Sequence, residues 1–260
     1  MKYTDQLGRR IVLDQVPKRI VSLVPSQTEL LVELGLFDHI VGVTKFCVHP
    51  DTIRKQKQIV GGTKNVHLDK IKELRPDIIL CNKEENTKEI VEELQKTYPV
   101  HVSDISTIEE SLELIGQYGE IFAKVNQARE LIFEIRSELH SFLGFIKDKP
   151  RKKVAYFIWR NPWMLAGNGT FIDHMLTMNN FTNIYGHTNR YPEISENELK
   201  KMKDLDLILL SSEPFPFSEN HIREIKKLRP DVEVMLVDGE YFSWYGSRLS
   251  KAFAYFKTLH

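Results

Sequence analysis

Apolar positions in this chain fall into two periodicities, and the longest regular pattern is helical. From Ile121 to Ile146, the residues Ile121, Val125, Ala128, Ile132, Ile135, Leu139, Phe142 and Ile146 recur in alternating steps of four and three. That spacing keeps one apolar stripe on a helix. No Pro or Gly interrupts it before Gly144. At 1.5 Å per residue, about 26 residues predict a rod of roughly 39 Å. Short β-rich runs alternate with helical patterns on both sides. Before the rod, Arg19–Val24, Ile40–Val43, Ile78–Cys81 and Val100–Val102 read as strands. After it, Lys153–Trp159, Leu207–Leu210 and Glu233–Val237 do the same. Strand–helix–strand units with tight loops predict parallel sheets.

Local signals refine this outline. Residues 3–14 predict a hairpin with Leu7-Gly8 near its turn. Pro25 ends the first strand of the sheet, and Ser26-Gln-Thr-Glu29 predicts a capping box, with Gly35 as the helix stop. Ile71–Asn86 and Leu199–Pro214 repeat one plan: a short helix, an acid, four apolar residues and a polar loop. The expectation is an α/β protein of two Rossmann-like lobes with parallel sheets, joined by one long rigid helix. Its divisions would be an N-terminal lobe over 1–118, a linking helix over 119–149 and a C-terminal lobe over 150–260. A ligand would then sit between the lobes, at the strand ends.

Composition narrows the function classes. The 36 basic and 36 acidic side chains cancel, which argues against an electrostatic nucleic-acid binder. No apolar run is long enough for a transmembrane helix. Two cysteines, Cys47 and Cys81, make neither a disulfide scaffold nor a zinc spacing. The first twenty residues have no apolar core of a secretory signal, so the expectation is either a cytoplasmic chain or a removed leader.

Candidate chemistry lies in loops after the strands, which share one rim in parallel sheets. They hold Phe46, Trp159, Trp163, Tyr241, Phe242, Trp244 and Tyr245. Loop aromatics bring flat contact area at low entropic cost and suit a large planar ligand. Trp159 and Phe242 are equally readable as core. Of the scattered histidines, His49 and His187 lie in rim loops and are candidates for axial or hydrogen-bonding contacts; none has a paired metal spacing. No G-x-S-x-G, Walker or H-E-x-x-H motif is present, so no catalytic residue is assigned. Gly167-Asn-Gly169 ahead of a helix offers a weak anion seat.

The stretches RIVSLVPSQTELLVELGLFDHIVGVTKFCVHP, LRPDIIL, WRNPWMLAGNGTFIDHML and DGEYFSWYGSRL, with the long helix between them, carry a resemblance. They resemble the helical-backbone substrate-binding proteins of iron-complex and cobalamin ABC importers, most closely the cobalamin-binding branch, over roughly residues 17–256. The resemblance implies a non-enzymatic binding protein with a shallow cleft and little hinge motion. Phe46 stands where cobalamin binders have a cleft tyrosine, and Tyr191, ahead of Pro192, where they have a tryptophan. Glu240 replaces an acid of the last rim loop. Trp244 stands for an expected arginine and Asn82 for an expected tryptophan. Two docking glutamates of that family correspond to Asp69 and Asn197, the latter flanked by Glu196 and Glu198.

The expected ligand is a corrinoid or another metal chelate, with no intrinsic cofactor and no metal held by side chains. Phe46, Trp163, Tyr191, Tyr241 and Trp244 are the expected apolar walls; Asn82, Arg160, Glu240 and Arg248 are the expected polar contacts. Asp69, Glu196 and Glu198 are the expected contacts to an ABC permease, with a single chain as the binding unit. The resemblance implies a periplasmic or membrane-associated protein. A ferric siderophore or haem is the alternative ligand, left open by Arg160, Arg190 and Arg248. A cytoplasmic protein using the fold for sensing or cofactor handling is the alternative role.

Overall fold

A computed structural model describes residues Met1–His260, which divide into two compact units. The first comprises Met1–Arg136 and Trp244–Ser250; the second comprises Ser137–Ser243 and Lys251–His260. The chain is thus not cut once. A seven-residue segment near the C-terminus packs with the first unit.

The first unit begins with an antiparallel ribbon, β1 (Lys2–Thr4) and β2 (Arg10–Val12). There follow β3 (Ile20–Ser22), α1 (Pro25–Glu33), β4 (Ile40–Val43), the single turn α2 (Ile53–Gln56) and β5 (Gln58–Ile59). Next come α3 (Leu68–Leu74), β6 (Ile78–Asn82), α4 (Lys88–Leu94), β7 (Val100–Ser103), α5 (Ile108–Ile121) and α6 (Val125–Ile146). The five-stranded sheet runs β5-β4-β3-β6-β7 and every pairing in it is parallel. Val21, Leu23, Ile71, Ile79, Cys81 and Val102 form one of its core clusters.

The second unit contains β8 (Lys152–Trp159), β9 (Trp163–Leu165), α7 (Phe171–Met178), β10 (Phe181–Asn183), β11 (Glu193–Ile194) and α8 (Glu196–Lys201). After these come β12 (Leu207–Ser211), α9 (Glu219–Leu228), β13 (Glu233–Val237), α10 (Gly239–Ser243) and α11 (Leu249–Lys257), the last beginning in the clasp-like return segment. Strands β10, β8, β12 and β13 are mutually parallel, whereas β9 and β11 form an antiparallel edge. The loop expected after Trp159 is therefore partly strand. Asn161, at φ 67°, makes the tight reversal between β8 and β9.

The repeat read in the sequence is real in three dimensions. In the first unit, Asp77 Oδ2 accepts the backbone N–H groups of Lys18 and Arg19 (2.8 and 2.9 Å), and its own N–H donates to Arg19 O (2.8 Å). In the second, Asp206 Oδ2 accepts Lys153 N–H (2.7 Å) and its N–H donates to Lys153 O (2.9 Å). Each acid clamps the start of the neighbouring strand, which sets β6 against β3 and β12 against β8 in the same register sense.

Two local expectations need correction. The long helix starts at Val125, not Ile121, because α5 ends first. Ala123 takes φ 54°, Lys124 N–H donates to Gly119 O (2.7 Å) and Ala123 N–H to Glu120 O (3.4 Å), a Schellman-type stop built without glycine. A Cβ on Gly119 would lie 2.6 Å from the Ala128 Cβ, so the chain reverses where two helices nearly touch. The helix that remains has 22 residues and buries Ala128, Leu131, Ile135, Phe142 and Ile146. The second correction concerns Ser26 and Glu29. Helix α1 starts at Pro25, whose fixed φ suits the first helical position, and Val24 is its uncapped N-cap. Ser26 lies inside the helix, and the Glu29 carboxylate is used elsewhere.

Candidate functional site

In each unit, the loops at the C-terminal ends of the parallel strands form a rim. On the first unit's rim, Phe46 follows β4 and is 49% exposed. Its ring lies over Gly62, where an added Cβ would sit 3.2 Å from it, and the Lys45 ammonium is 5.0 Å from the ring centre. The backbone beneath the ring gives it a fixed seat.

The segment Trp244–Ser250 reaches this unit from the far end of the sequence and is held at several points. Arg248 donates from Nε and Nη2 to the two carboxylate oxygens of Glu29, each at 2.9 Å. This fork-to-fork pairing fixes the plane as well as the charge. The guanidinium lies 4.9 Å from the Trp244 ring, and His49 meets that ring edge-on at 5.4 Å; both Trp244 and Arg248 are buried, which corrects their assignment as an open wall and a polar ligand contact. Gly246 N–H donates to Ser111 Oγ (2.8 Å). Tyr245 enters a buried polar network centred on Gln27. The Gln27 amide donates to Ser103 Oγ (2.6 Å) and to the Tyr245 hydroxyl (3.0 Å), and its carbonyl accepts from the Tyr118 hydroxyl (2.6 Å). Burial raises both phenols well above the ordinary tyrosine range, so they stay neutral and act as hydrogen-bonding groups.

Asn82 is a structural residue. It is 3% exposed, donates to Ser103 O and Oγ (3.2 and 3.0 Å), and its carbonyl accepts the Glu84 and Glu85 N–H groups (2.8 and 3.1 Å). All of its capacity goes into shaping the loop after β6, which corrects its assignment as a ligand contact.

The second unit's rim departs further from expectation. Trp163 is a core residue, not a wall: it lies on β9, is 3% exposed, stacks parallel to Phe217 (2° between planes) and meets Phe157 edge-on at 5.4 Å. Arg160 covers it, with the guanidinium 4.1 Å from the indole centre, and is ion-paired to Glu224, with Nε 3.1 Å from Oε1. Arg160 thus belongs to this unit's own surface. Trp159, readable as core, is instead 39% exposed, whereas Phe242 is fully buried. Tyr241 stacks on Tyr255 at 4.7 Å, and Glu240 N–H donates to Asp238 Oδ1 (3.0 Å). Tyr191 is half-buried with the Arg190 guanidinium 5.7 Å from its ring.

Gly167 serves packing rather than an anion. Its N–H donates to Arg190 O (2.7 Å), and an added Cβ would lie 2.2 Å from Thr188 O, so only glycine lets the 183–192 loop close over it. The N-terminus of α7 is capped by Thr170 and already carries Asp173 in its first turn, which disfavours an anion there.

Of the expected docking positions, Asp69 is exposed in the first turn of α3. Glu196 is exposed in the first turn of α8 and paired with Lys200 at 2.7 Å. Glu198 is occupied by a capping box with Ser195 (2.7 Å). Helices α3 and α8 occupy the same place in the internal repeat, each preceding the clamped strand.

Glu29 and Gln27 carry no ligand signal in the sequence, whereas Glu85 lies in the Asn82–Asn86 loop, which reads as a solvated cap or as a reader of ligand amides. Glu29 had been absorbed into a capping signal, and its partner lies 219 residues away.

The sequence pattern of the family described as periplasmic binding protein matches residues 20–235. The chain belongs to this family. An ABC transporter substrate-binding lipoprotein of Bacillus subtilis, itself uncharacterized, is 25% identical over 206 residues. That alignment covers 76% of this chain and 65% of the relative, so the chain spans just under two thirds of that relative's length. A vitamin B12-binding protein of Pectobacterium carotovorum is 21% identical over 238 residues, covering 90% of this chain and 85% of the relative. Among solved structures, the periplasmic vitamin B12 binding protein of Vibrio cholerae superposes with a TM-score of 0.80 at 18% identity, covering 94% of this chain and 96% of that one. A periplasmic heme binding protein of Pseudomonas aeruginosa also gives 0.80, at 21% identity, with 94% and 92% covered. The periplasmic binding protein fold is thereby established: two α/β lobes and a connecting long helix, in a family of binding proteins rather than enzymes.

Proposed function

We propose that this periplasmic binding protein is the substrate-binding component of an ABC importer and that its cargo is a corrinoid. The observation that carries the reading is an exposed aromatic held in a fixed seat on the first unit's rim, Phe46. Phe46 is exposed on a glycine seat, beside a segment in which the buried Trp244 packs against His49 and an Arg248 that Glu29 orients. A large, partly flat macrocycle gains most from broad apolar faces already in place, since little side-chain entropy is left to lose. The vitamin B12-binding relative aligned over nine tenths of this chain supports the same ligand class. Tyr191, Tyr241 and Glu240 are the candidate contacts carried by the second unit. Asp69 and Glu196 are the permease contacts, supported by their equivalent places in the repeat. The protein would work outside the cytoplasmic membrane, either free or anchored to it.

A haem-type chelate is the second reading, favoured by the equal structural likeness to a heme binding protein. Titration with cyanocobalamin, haem and a ferric hydroxamate, followed by tryptophan fluorescence, separates the two. Saturable quenching by the corrinoid alone, weakened about tenfold by Phe46→Ala, is expected from the loss of one buried aromatic face. Saturation by haem alone selects the second reading. No binding of any of the three by folded protein removes the importer reading.

A further inference from the structure

The sheet of the second unit changes direction of winding between β8 and β12. The chain leaves β8 for β9 and β10 on one side, and leaves β12 for β13 on the other. In open α/β sheets the crevice beyond the strand ends at such a point is where ligands bind. The first unit has the same switch between β3 and β6, and polar bonds close it there. Asn86 donates from Nδ2 to Leu23 O, just past the end of β3, and to Thr63 O (3.3 and 2.9 Å). The second unit closes its switch with rings. Trp159, the last residue of β8, meets Phe215 of the loop after β12 at 5.6 Å, with 69° between the ring planes.

Further rings brace that pair. Phe215 N–H donates to Ile158 O (3.4 Å), and its ring lies 4.8 Å from Phe217 and 5.2 Å from His221, edge-on to both. The His221 ring is fixed at the start of α9, where its Nδ1 accepts the Ser218 N–H (3.0 Å). Phe217 in turn stacks on the core residue Trp163. On its other side, the backbone of Trp159 pairs with Met164 of β9. Rings therefore run without a break from the core to Trp159, which stays 39% exposed while Trp163 and Trp244 are buried. Phe133 is more exposed still, but it stands on the long helix, with no ring against it and at no strand end.

We propose that Trp159 is the principal contact of the second unit with a macrocyclic metal chelate, stacking on the apolar face of the ring. This deepens the cargo reading and rests on it. An indole brings a broad apolar face, and one already held by strand pairing and by Phe215 has little freedom left to lose on binding. The other aromatic candidates of this unit offer less. Tyr191 and Tyr241 are each half-buried, and Tyr241 already stacks on Tyr255 at 4.7 Å. The role asked of Trp159 is the same for a corrinoid and for haem, whose common feature is a wide conjugated ring.

Two measurements test the assignment. Equilibrium dialysis, read from ligand absorbance, gives dissociation constants for cyanocobalamin and haem with the unaltered protein, and the chelate that binds is carried to the variants. Trp159→Ala is expected to weaken it about tenfold or more and Trp159→Phe about threefold, the scale of one central aromatic contact. Tyr191→Ala is expected to weaken it less than Trp159→Ala. The second measurement uses unaltered protein alone and so does not depend on a variant folding. Alkylation by 2-hydroxy-5-nitrobenzyl bromide, which attacks exposed indoles, is located by peptide mass. It is expected to fall on Trp159 in the free protein and to slow severalfold when the chelate saturates. Binding by Trp159→Ala within about twofold of the unaltered protein, with the urea midpoint retained, overturns the assignment alone. So does labelling of Trp159 that saturation leaves undiminished, or a loss in Tyr191→Ala as large as in Trp159→Ala. Failure of the unaltered protein to bind either chelate removes the cargo reading and the assignment together.

Discussion

The two units share a scaffold and differ in what fills it. Each sets a parallel strand pair in register with an aspartate clamp, Asp77 in one and Asp206 in the other. Above that common base the first unit buries polar groups: Gln27, Ser103, Ser22 and Thr28 are all fully enclosed, and the Tyr118 and Tyr245 hydroxyls close on the Gln27 amide. The second unit buries rings instead. Phe142, Phe253 and Phe256 pack with centroids 5.7 to 6.3 Å apart, Phe242 adds to Phe256 at 4.9 Å and Tyr156 to Phe242 at 5.0 Å. A hydrogen-bonded interior fixes angles, whereas an aromatic interior fills volume. The unit with the polar interior is the one whose rim residues are most tightly oriented, through Arg248, Trp244 and the Asn82–Asn86 loop.

The difference can be broken from either side. The largest effect is expected from Phe256→Ala, which removes a fully buried ring touching four others and should cost about 3–5 kcal/mol, read as a lowered urea midpoint. A loss under 1 kcal/mol would show that the second unit's core repacks freely. Next comes Gln27→Leu. It keeps volume but takes a partner from three hydroxyls and removes the acceptor of Tyr118, with an expected cost of about 2–3 kcal/mol and a near-neutral result if water replaces the amide. Asp77→Ala and Asp206→Ala sharpen the likeness between the units, since each removes a charged acceptor from a strand start. About 1–2 kcal/mol is expected for each, with Asp77 the larger because it accepts two N–H groups.

The smallest effect is visible only on acidification. His101 is fully buried on β7, bonded to Gln117 at 3.0 Å, and burial lowers its pKa. The unfolded chain then takes up a proton that the folded one resists, so this group's stabilising effect is complete above its ordinary pKa of 6.5 and is lost as pH falls below it. The urea midpoint of the unaltered protein should fall between pH 7.5 and 5.5, and His101→Gln should reduce that fall. An equal fall in the variant would assign the acid sensitivity elsewhere.

How far the fold could be read from the residues varies with the reach of the interaction. The parallel β/α alternation, the repeat around Asp77 and Asp206, and the long helix, apart from its start at Ile121, follow from patterns within about twenty residues, and the structure bears them out. The break at Ala123 was invisible because an alanine took the left-handed position usually marked by glycine. Glu29 misled because its spacing from Ser26 satisfied a local rule, while a proline at the first helical position and an arginine from the other end of the chain decided the outcome. At the rim, Phe46 was legible as an exposed aromatic after a strand. Trp163 looked the same and was not, because a short antiparallel strand turned its side chain inward against Phe217.

By itself, then, the sequence determined the periodicities: which stretches become strands, which helix runs longest, and which strand ends carry polar and aromatic loops. Hydrophobic alternation and local capping act between near neighbours, and near neighbours are what a sequence writes down. The tertiary structure alone decided that Trp244–Ser250 joins the first unit, that Arg248 meets Glu29, and that Gln27 ties Tyr118 to Tyr245. Those pairings join residues 91 to 219 positions apart in the chain. Their partners are chosen by packing and desolvation once the sheet has formed, and no local pattern encodes that choice.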